Sequence, residues 1–318
     1  MLIFPDYYPD FSCIAERCQH NCCIGWEIDI DADALAFYQS VEGELGQRLK
    51  QNICLEETPH FCLDAKERCP FLNDKNLCDL ILGLGEDRLC QICTDHPRFR
   101  NELPGRLEIG VGLCCEAAGA LILGKKEPAR LILPLQELPY DEIIAVRDEA
   151  ITALQDRSQP ISARIARLQT LCGGFYEGDL GQWADFLLSL ERLEPSWTDL
   201  LCLLKAHWNT VDFGGFDRHM KDRQTEYEQL AVYFVYRHLA NAADSTDLSA
   251  RAAFAALAYR VIYTLGAILW TQNDGFTFDD QINLARHFSA EIEYSDDNLN
   301  ALLDALVCYD DIQAEQEF

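Results

Sequence analysis

Residues 11–29, FSCIAERCQHNCCIGWEID, carry Cys13, Cys18, Cys22 and Cys23 in the spacing C-x4-C-x3-C-C. Thiolates presented from short loops hold structural zinc and iron–sulfur clusters, because a turn brings two or three sulfurs onto one ion at little ordering cost. More sulfur follows at Cys69 in RCPFLND, Cys78 in NLCDL, Cys93 in CTDHPR and Cys114 in GLCCEAA. One site takes at most four of these eight thiolates; the others form a second site, support the first, or are buried thiols. This density points to metal and leaves iron and zinc open. The three-cysteine loop of radical enzymes that cleave S-adenosylmethionine is not met, since Gly25 stands where C-x3-C-x2-C needs its third cysteine after Cys18 and Cys22. Cys90 and Cys93 form a C-x-x-C without a matching second pair, which is weak evidence. His20 and His96 read as hydrogen-bonding groups beside the site rather than ligands, and Trp26 as the roof of a small core. Arg98 is either a surface arginine or a cation that neutralises a cluster or a cofactor carboxylate.

These cysteines are a regional feature: twelve of the fifteen in the 318-residue chain lie at or before Cys115. Cys172, Cys202 and Cys308 sit in apolar periodic runs and read as buried core. The N-terminus MLIFPDYYPDFSC lacks a basic segment followed by an apolar one, so no export signal is expected. The longest apolar-leaning run, 259–270, is shorter than the ~20 residues that cross a bilayer. A cytoplasmic protein with reduced thiols is therefore expected, and clustered cysteines there hold metal more often than disulfides. A disulfide-bonded secreted protein is the third-ranked reading. With 53 acidic and 26 basic residues the net charge is −27, which repels nucleic acid and anionic membranes. The same charge serves solubility, or attracts a basic group such as a lysine on another protein.

The elements that must position the thiols divide the chain in two. Residues 1–125 show short apolar runs, prolines and cysteines without a long amphipathic period, and read as an irregular cysteine-rich metal-binding module. Residues 126–318 show apolar positions at three- and four-residue steps in successive segments, an all-α helical domain. The overall class is mainly α. Asp141, Ser162, Asp179, Ser196 and Ser295 are the expected helix caps, and KKEPARLILPLQELPYD, with three prolines, the connector. RLEIGVGLCCEAA imitates the acid-and-glycine loop of doubly wound cofactor-binding domains through Glu108, Gly110 and Gly112. The helices that follow leave no strands for such a sheet, so a coincidence is expected.

The order of these elements resembles the flagellin lysine-N-methylase family. YYPDFSCIAERCQHNCCIGWEIDID is followed by CPFLNDKNLCDLILGLGEDRL, CTDHPRF and CCEAAGALIL, matching the family's run of two cysteines, C-C-x-G-W, C-P-F-L, a further cysteine, a leucine–glycine–glutamate step, C-x-x-aromatic-P-R and a cysteine before an E-A pair. Cys13, Cys18, Cys22, Cys23, Cys69, Cys78, Cys93 and Cys114 fall on its cysteine positions, over about the first 120 residues. YEQLAVYFVYRHLA and LARHFSAEIEYS look more loosely like its helical part. Cys115 replaces an expected proline, His96 an aromatic residue, and Tyr294 a histidine. The resemblance implies methyl transfer from S-adenosylmethionine to lysine ε-amines of flagellin, assisted by a 4Fe-4S cluster on these cysteines, with Arg98 and Glu116 the candidate cofactor-binding residues. The alternative is a non-catalytic protein that binds zinc or iron through the same cysteines.

Overall fold

A computed structural model describes the chain apart from residues 21, 26, 27, 56, 57, 136–138, 174–177, 317 and 318, and apart from the side chains of 16 and 308–316. It is mainly helical, with two compact units that differ from a division at 125/126: residues 12–99 form one, and residues 1–11 with 100–318 form the other. The expected roof residue Trp26 and the side chain of Cys308 lie outside the described residues.

In chain order the larger unit begins with strand β1 (Leu2–Pro5). The smaller unit then contributes α1 (Ala32–Ser40), α2 (Gly43–Asn52), the two-residue strands β2 (Ile53–Cys54) and β3 (His60–Phe61), α3 (Asp79–Leu84) and α4 (Gln91–Asp95). Its core is Ile28, Ile30, Tyr38, Leu49, Phe61, Phe71 and Leu80 together with Cys69 and Cys90, and Cys23, Cys78 and Cys93 pack against it. Phe61 meets Phe71 edge-on at 5.1 Å, a favoured aromatic geometry. Cys54, on β2, and Cys62, just after β3, form a disulfide, which departs from the expectation of reduced thiols throughout.

From residue 100 on, the larger unit takes in most of β4 (Arg98–Leu103), then β5 (Arg106–Val111), α5 (Glu116–Leu123) and β6 (Leu131–Ile132). Its sheet runs β4-β5-β1-β6, with β1 parallel to β5 and antiparallel to β6. Helices α6 (Glu142–Leu154), α7 (Ile161–Leu171), α8 (Leu180–Ser189), α9 (Pro195–His207), α10 (Phe213–His219), α11 (Gln224–His238), α12 (Ser245–Asn273), α13 (Phe278–Phe288) and α14 (Asp296–Gln316) follow. Every residue from Glu226 to His238 of α11 is buried, so this helix is a central post. Helix α12 is long and apolar enough to cross a membrane, yet 83% of its apolar window is buried inside the unit; its alanines at 250, 252, 253, 255, 256 and 258 are all buried, which suits close helix packing.

Asp141 and Asp179 cap α6 and α8 as expected, accepting from Ile144 N and from Gly181 N, and Ser295 Oγ accepts from Asn298 N at the start of α14. Ser162 and Ser196 instead lie inside their helices, which start two residues earlier than serine caps would allow: α7 follows the N-cap Pro160, and α9 opens on Pro195, whose fixed φ suits the first helical position. Cys172 is buried, whereas Cys202 is exposed on α9, a correction to its reading as core: its helical position faces away from the buried Leu201 and Leu204. The strand–glycine–helix unit over RLEIGVGLCCEAA does form, as β5 and α5, within a four-stranded sheet. Glu108 is not a free acid there. It is fully buried and held bidentately by Arg147 at 2.8 and 3.0 Å.

Candidate metal centre

Backbone geometry in the smaller unit explains why the cysteines converge. Gly25 adopts φ +91°, a conformation glycine takes without strain, and its N–H donates to Glu67 O at 2.9 Å while Cys69 N donates to Cys23 O at 2.8 Å. With the antiparallel bridge of Ile24 to Arg68, the CCIG segment lies alongside the CPFL segment. A tight turn then brings Cys78 back: Leu72 bridges Cys78 antiparallel, Asn73 Oδ1 accepts from Lys75 N and Leu77 N, and Asn76 takes φ +56°, as asparagine tolerates. Cys90 precedes α4 and Cys93 sits in its first turn, so the three-residue spacing puts both on one helix face. Asp31 joins this helix to α1, its Oδ1 accepting from Ala34 N at 2.9 Å and its Oδ2 from Gln91 N at 2.7 Å.

Six thiols therefore influence one another. Cys22 is hydrogen-bonded to Cys23 and Cys90 to Cys93; in each pair the first thiol is pulled below its ordinary value by the S–H of its partner, and the second is pushed up by the same bond and by burial. Burial pushes Cys69 up to about 11 and raises Cys78. Cys23 feels the charges of Cys69 and Cys93, Cys93 those of Cys69 and Cys78, and Cys78 that of Cys22. Among the described residues no three His, Cys, Asp or Glu side chains stand grouped to hold an ion, so the thiols are paired by hydrogen bonds and must turn to ligate. The fit is one of donor chemistry: a half-buried set of soft sulfur donors in an apolar core suits zinc or an iron–sulfur cluster.

The structure thus brings together Cys22, Cys23, Cys69, Cys78 and Cys93 of the eight expected residues. It adds Cys90, fully buried, whose only sequence signal was the C-x-x-C spacing. Cys13 is exposed and accepts from Ala15 N at 3.4 Å, and Cys18 donates to His20 O at 3.2 Å. Arg98 donates to Thr94 O at 3.0 Å. Glu116 opens α5 in the larger unit.

Cys114 also lies in the larger unit, beside a buried polar network that sequence reasoning did not assemble. Burial first of all raises the Cys114 thiol, and Tyr294 hydrogen-bonds to it. Glu293 is buried and takes His238 Nε2 at 2.6 Å and Tyr233 Oη at 3.1 Å. Arg237 donates to Tyr233 Oη at 2.7 Å and lies 4.6 Å under the Tyr294 ring. A wide helical turn, Ser289–Glu293, with Tyr294 N donating to Ser289 O, sets these side chains; such turns recur at functional sites. Gly112 is required beside it, since a Cβ there would overlap the Tyr294 hydroxyl.

Residues 210–312 match the family described as the FliB lysine N-methylase C-terminal domain. Over 134 residues, 40% of the chain, it is 25% identical to the flagellar biosynthetic protein FliU of Salmonella muenchen, covering 79% of that protein. Over the same length it is 23% identical to the lysine-N-methylases of Salmonella choleraesuis and Salmonella typhimurium, covering 33% of each. No solved structure matches. The polar network of Tyr233, Arg237, His238, Glu293 and Tyr294 falls within the matched domain.

Proposed function

We propose, from the premise that this chain belongs to the flagellin lysine-N-methylase family, that it transfers methyl groups from S-adenosylmethionine to lysine ε-amines of a protein, with flagellin as the acceptor. The observation that carries this reading is the match of residues 210–312 to a lysine N-methylase domain. The aligned part spans about a third of the length of the two named lysine-N-methylases. An ε-amine with a pKa near ~10.4 is protonated at neutral pH, and only its neutral form attacks. Methylation therefore needs a site that desolvates the ammonium or accepts its proton while the new N–C bond forms and the S–C bond of the donor breaks. The acidic surface, net charge −27, favours encounter with lysine-rich protein and disfavours nucleic acid and anionic membranes, consistent with a cytoplasmic site of action.

Cys22, Cys23, Cys69, Cys78, Cys90 and Cys93 would hold the metal, which exceeds the four thiolates that a 4Fe-4S cluster or a zinc ion takes. When bound, a cluster would supply an iron able to accept a donor atom or an electron. Cys69 and Cys90 are buried and Cys23, Cys78 and Cys93 partly so, while Cys22 is exposed, and the cysteines must shed their protons to ligate.

The test uses protein purified without oxygen: iron and sulfide content, then incubation with S-adenosylmethionine and flagellin, read by mass spectrometry of the flagellin lysines. Mass increments of one methyl group per transfer on lysine, lost when the donor is omitted, are expected. Zinc without methylation would replace this reading with that of a non-catalytic metal-binding protein.

A further inference from the structure

Tyr38 ends α1 inside the core that carries the thiols, with its ring 0% exposed. The ring packs against Phe61 at 6.0 Å and Phe37 at 6.1 Å, so apolar contacts account for the ring but not for the oxygen. The hydroxyl is closed to solvent, and its proton meets no acceptor among the described residues. It lies within electrostatic reach of Cys90, Cys93 and Cys78, and the Cys90 amide approaches its oxygen as a donor, which leaves the hydroxyl's own proton unplaced. A buried hydroxyl gives up its hydrogen bonds to water and here finds no acceptor for its proton, a cost that folded proteins seldom leave uncompensated. Phenylalanine would fill the same space without that cost. Neutral thiols are weak acceptors; a thiolate or an inorganic sulfide is a strong one. The missing partner is therefore of the kind that appears when these cysteines lose their protons to a metal.

We propose that Tyr38 is a positioning residue of the thiol site, its hydroxyl donating a hydrogen bond to a ligating thiolate or bridging sulfide once metal is bound. The role rests on the reading of the six thiols as a metal site. A donor at this place orients the sulfur and draws charge from it, the work of the outer partners that orient and tune metal ligands. It also accounts for a tyrosine whose proton finds no acceptor in the metal-free fold.

Cobalt(II) provides the test, because its thiolate charge-transfer absorption reports sulfur ligation whichever metal the protein carries naturally. The native chain and Tyr38→Phe are compared as metal-free proteins by thermal unfolding, then titrated with cobalt(II) alone. Tyr38→Phe is expected to unfold at the same or a higher temperature without metal, to bind cobalt about tenfold more weakly, and to shift the charge-transfer band. Equal affinity with an unchanged band would overturn the role, and so would a metal-free Tyr38→Phe protein that unfolds earlier, since the hydroxyl would then serve the fold. A native chain that gives no charge-transfer band would remove the thiol site itself, and Tyr38's role with it.

Discussion

Asp31 is the residue whose removal most directly tests how the thiol core is held. Its two oxygens cap two helices, Oδ1 on Ala34 N at 2.9 Å and Oδ2 on Gln91 N at 2.7 Å. The first helix delivers Tyr38 and the second carries Cys90 and Cys93 into one core. Each cap contributes about 1 kcal/mol, so Asp31→Ala loses about 2 kcal/mol and Asp31→Asn, with a single acceptor oxygen, about 1 kcal/mol. Cys90 is 0% exposed and reacts with an alkylating reagent only when the core opens. At about 1.4 kcal/mol per factor of ten, opening rises about thirtyfold in Asp31→Ala and about fivefold in Asp31→Asn. The assay is the rate of Cys90 alkylation by iodoacetamide in metal-free full-length protein, read by peptide mass spectrometry, under conditions where reclosing outpaces labelling. An Asp31→Ala rate within twofold of native would refute the double-cap account. Equal rates for Asp31→Ala and Asp31→Asn would refute the assignment of one oxygen to each helix.

In the larger unit, Glu228 is 1% exposed and takes Arg164 at 2.8 Å and Arg157 at 2.9 Å; Glu228→Ala leaves the buried Arg164 uncompensated and is expected to cost about 3–5 kcal/mol, measured by urea unfolding, and a loss under 1 kcal/mol would show that the arginines find other partners. Glu194 is held well below the usual carboxylate range by its hydrogen bond with His287 and its clamp by Arg286. Its folded value lies below the unfolded one, so its contribution is present above about pH 4.3 and is lost as pH falls from there toward the folded value. Glu194→Gln should unfold with a shallower pH dependence below about pH 4.5, by up to one proton, and identical acid profiles for the two proteins would contradict this.

The sequence by itself determined the mainly helical class, the concentration of sulfur before Cys115, and the family resemblance, because periodicity, composition and motif order are local properties of the chain. Five of the six thiols that meet stand at positions picked out by motif order, and in the fold the turns at Gly25, Asn73 and Asn76 bring their segments together. The tertiary structure decided which thiols meet. Cys90 looked like half of an isolated pair until the double cap by Asp31 fixed α4 against the core, while Cys13, in the same short stretch as Cys22 and Cys23, is exposed. The structure also decided that Cys114 sits with Tyr294, Arg237 and Glu293, residues more than a hundred positions away. Glu108, which imitates a cofactor-binding acid in its strand–glycine context, is consumed by a buried pair with Arg147. Long-range pairing of charges and sulfurs depends on where helices pack, and no short stretch of sequence encodes that.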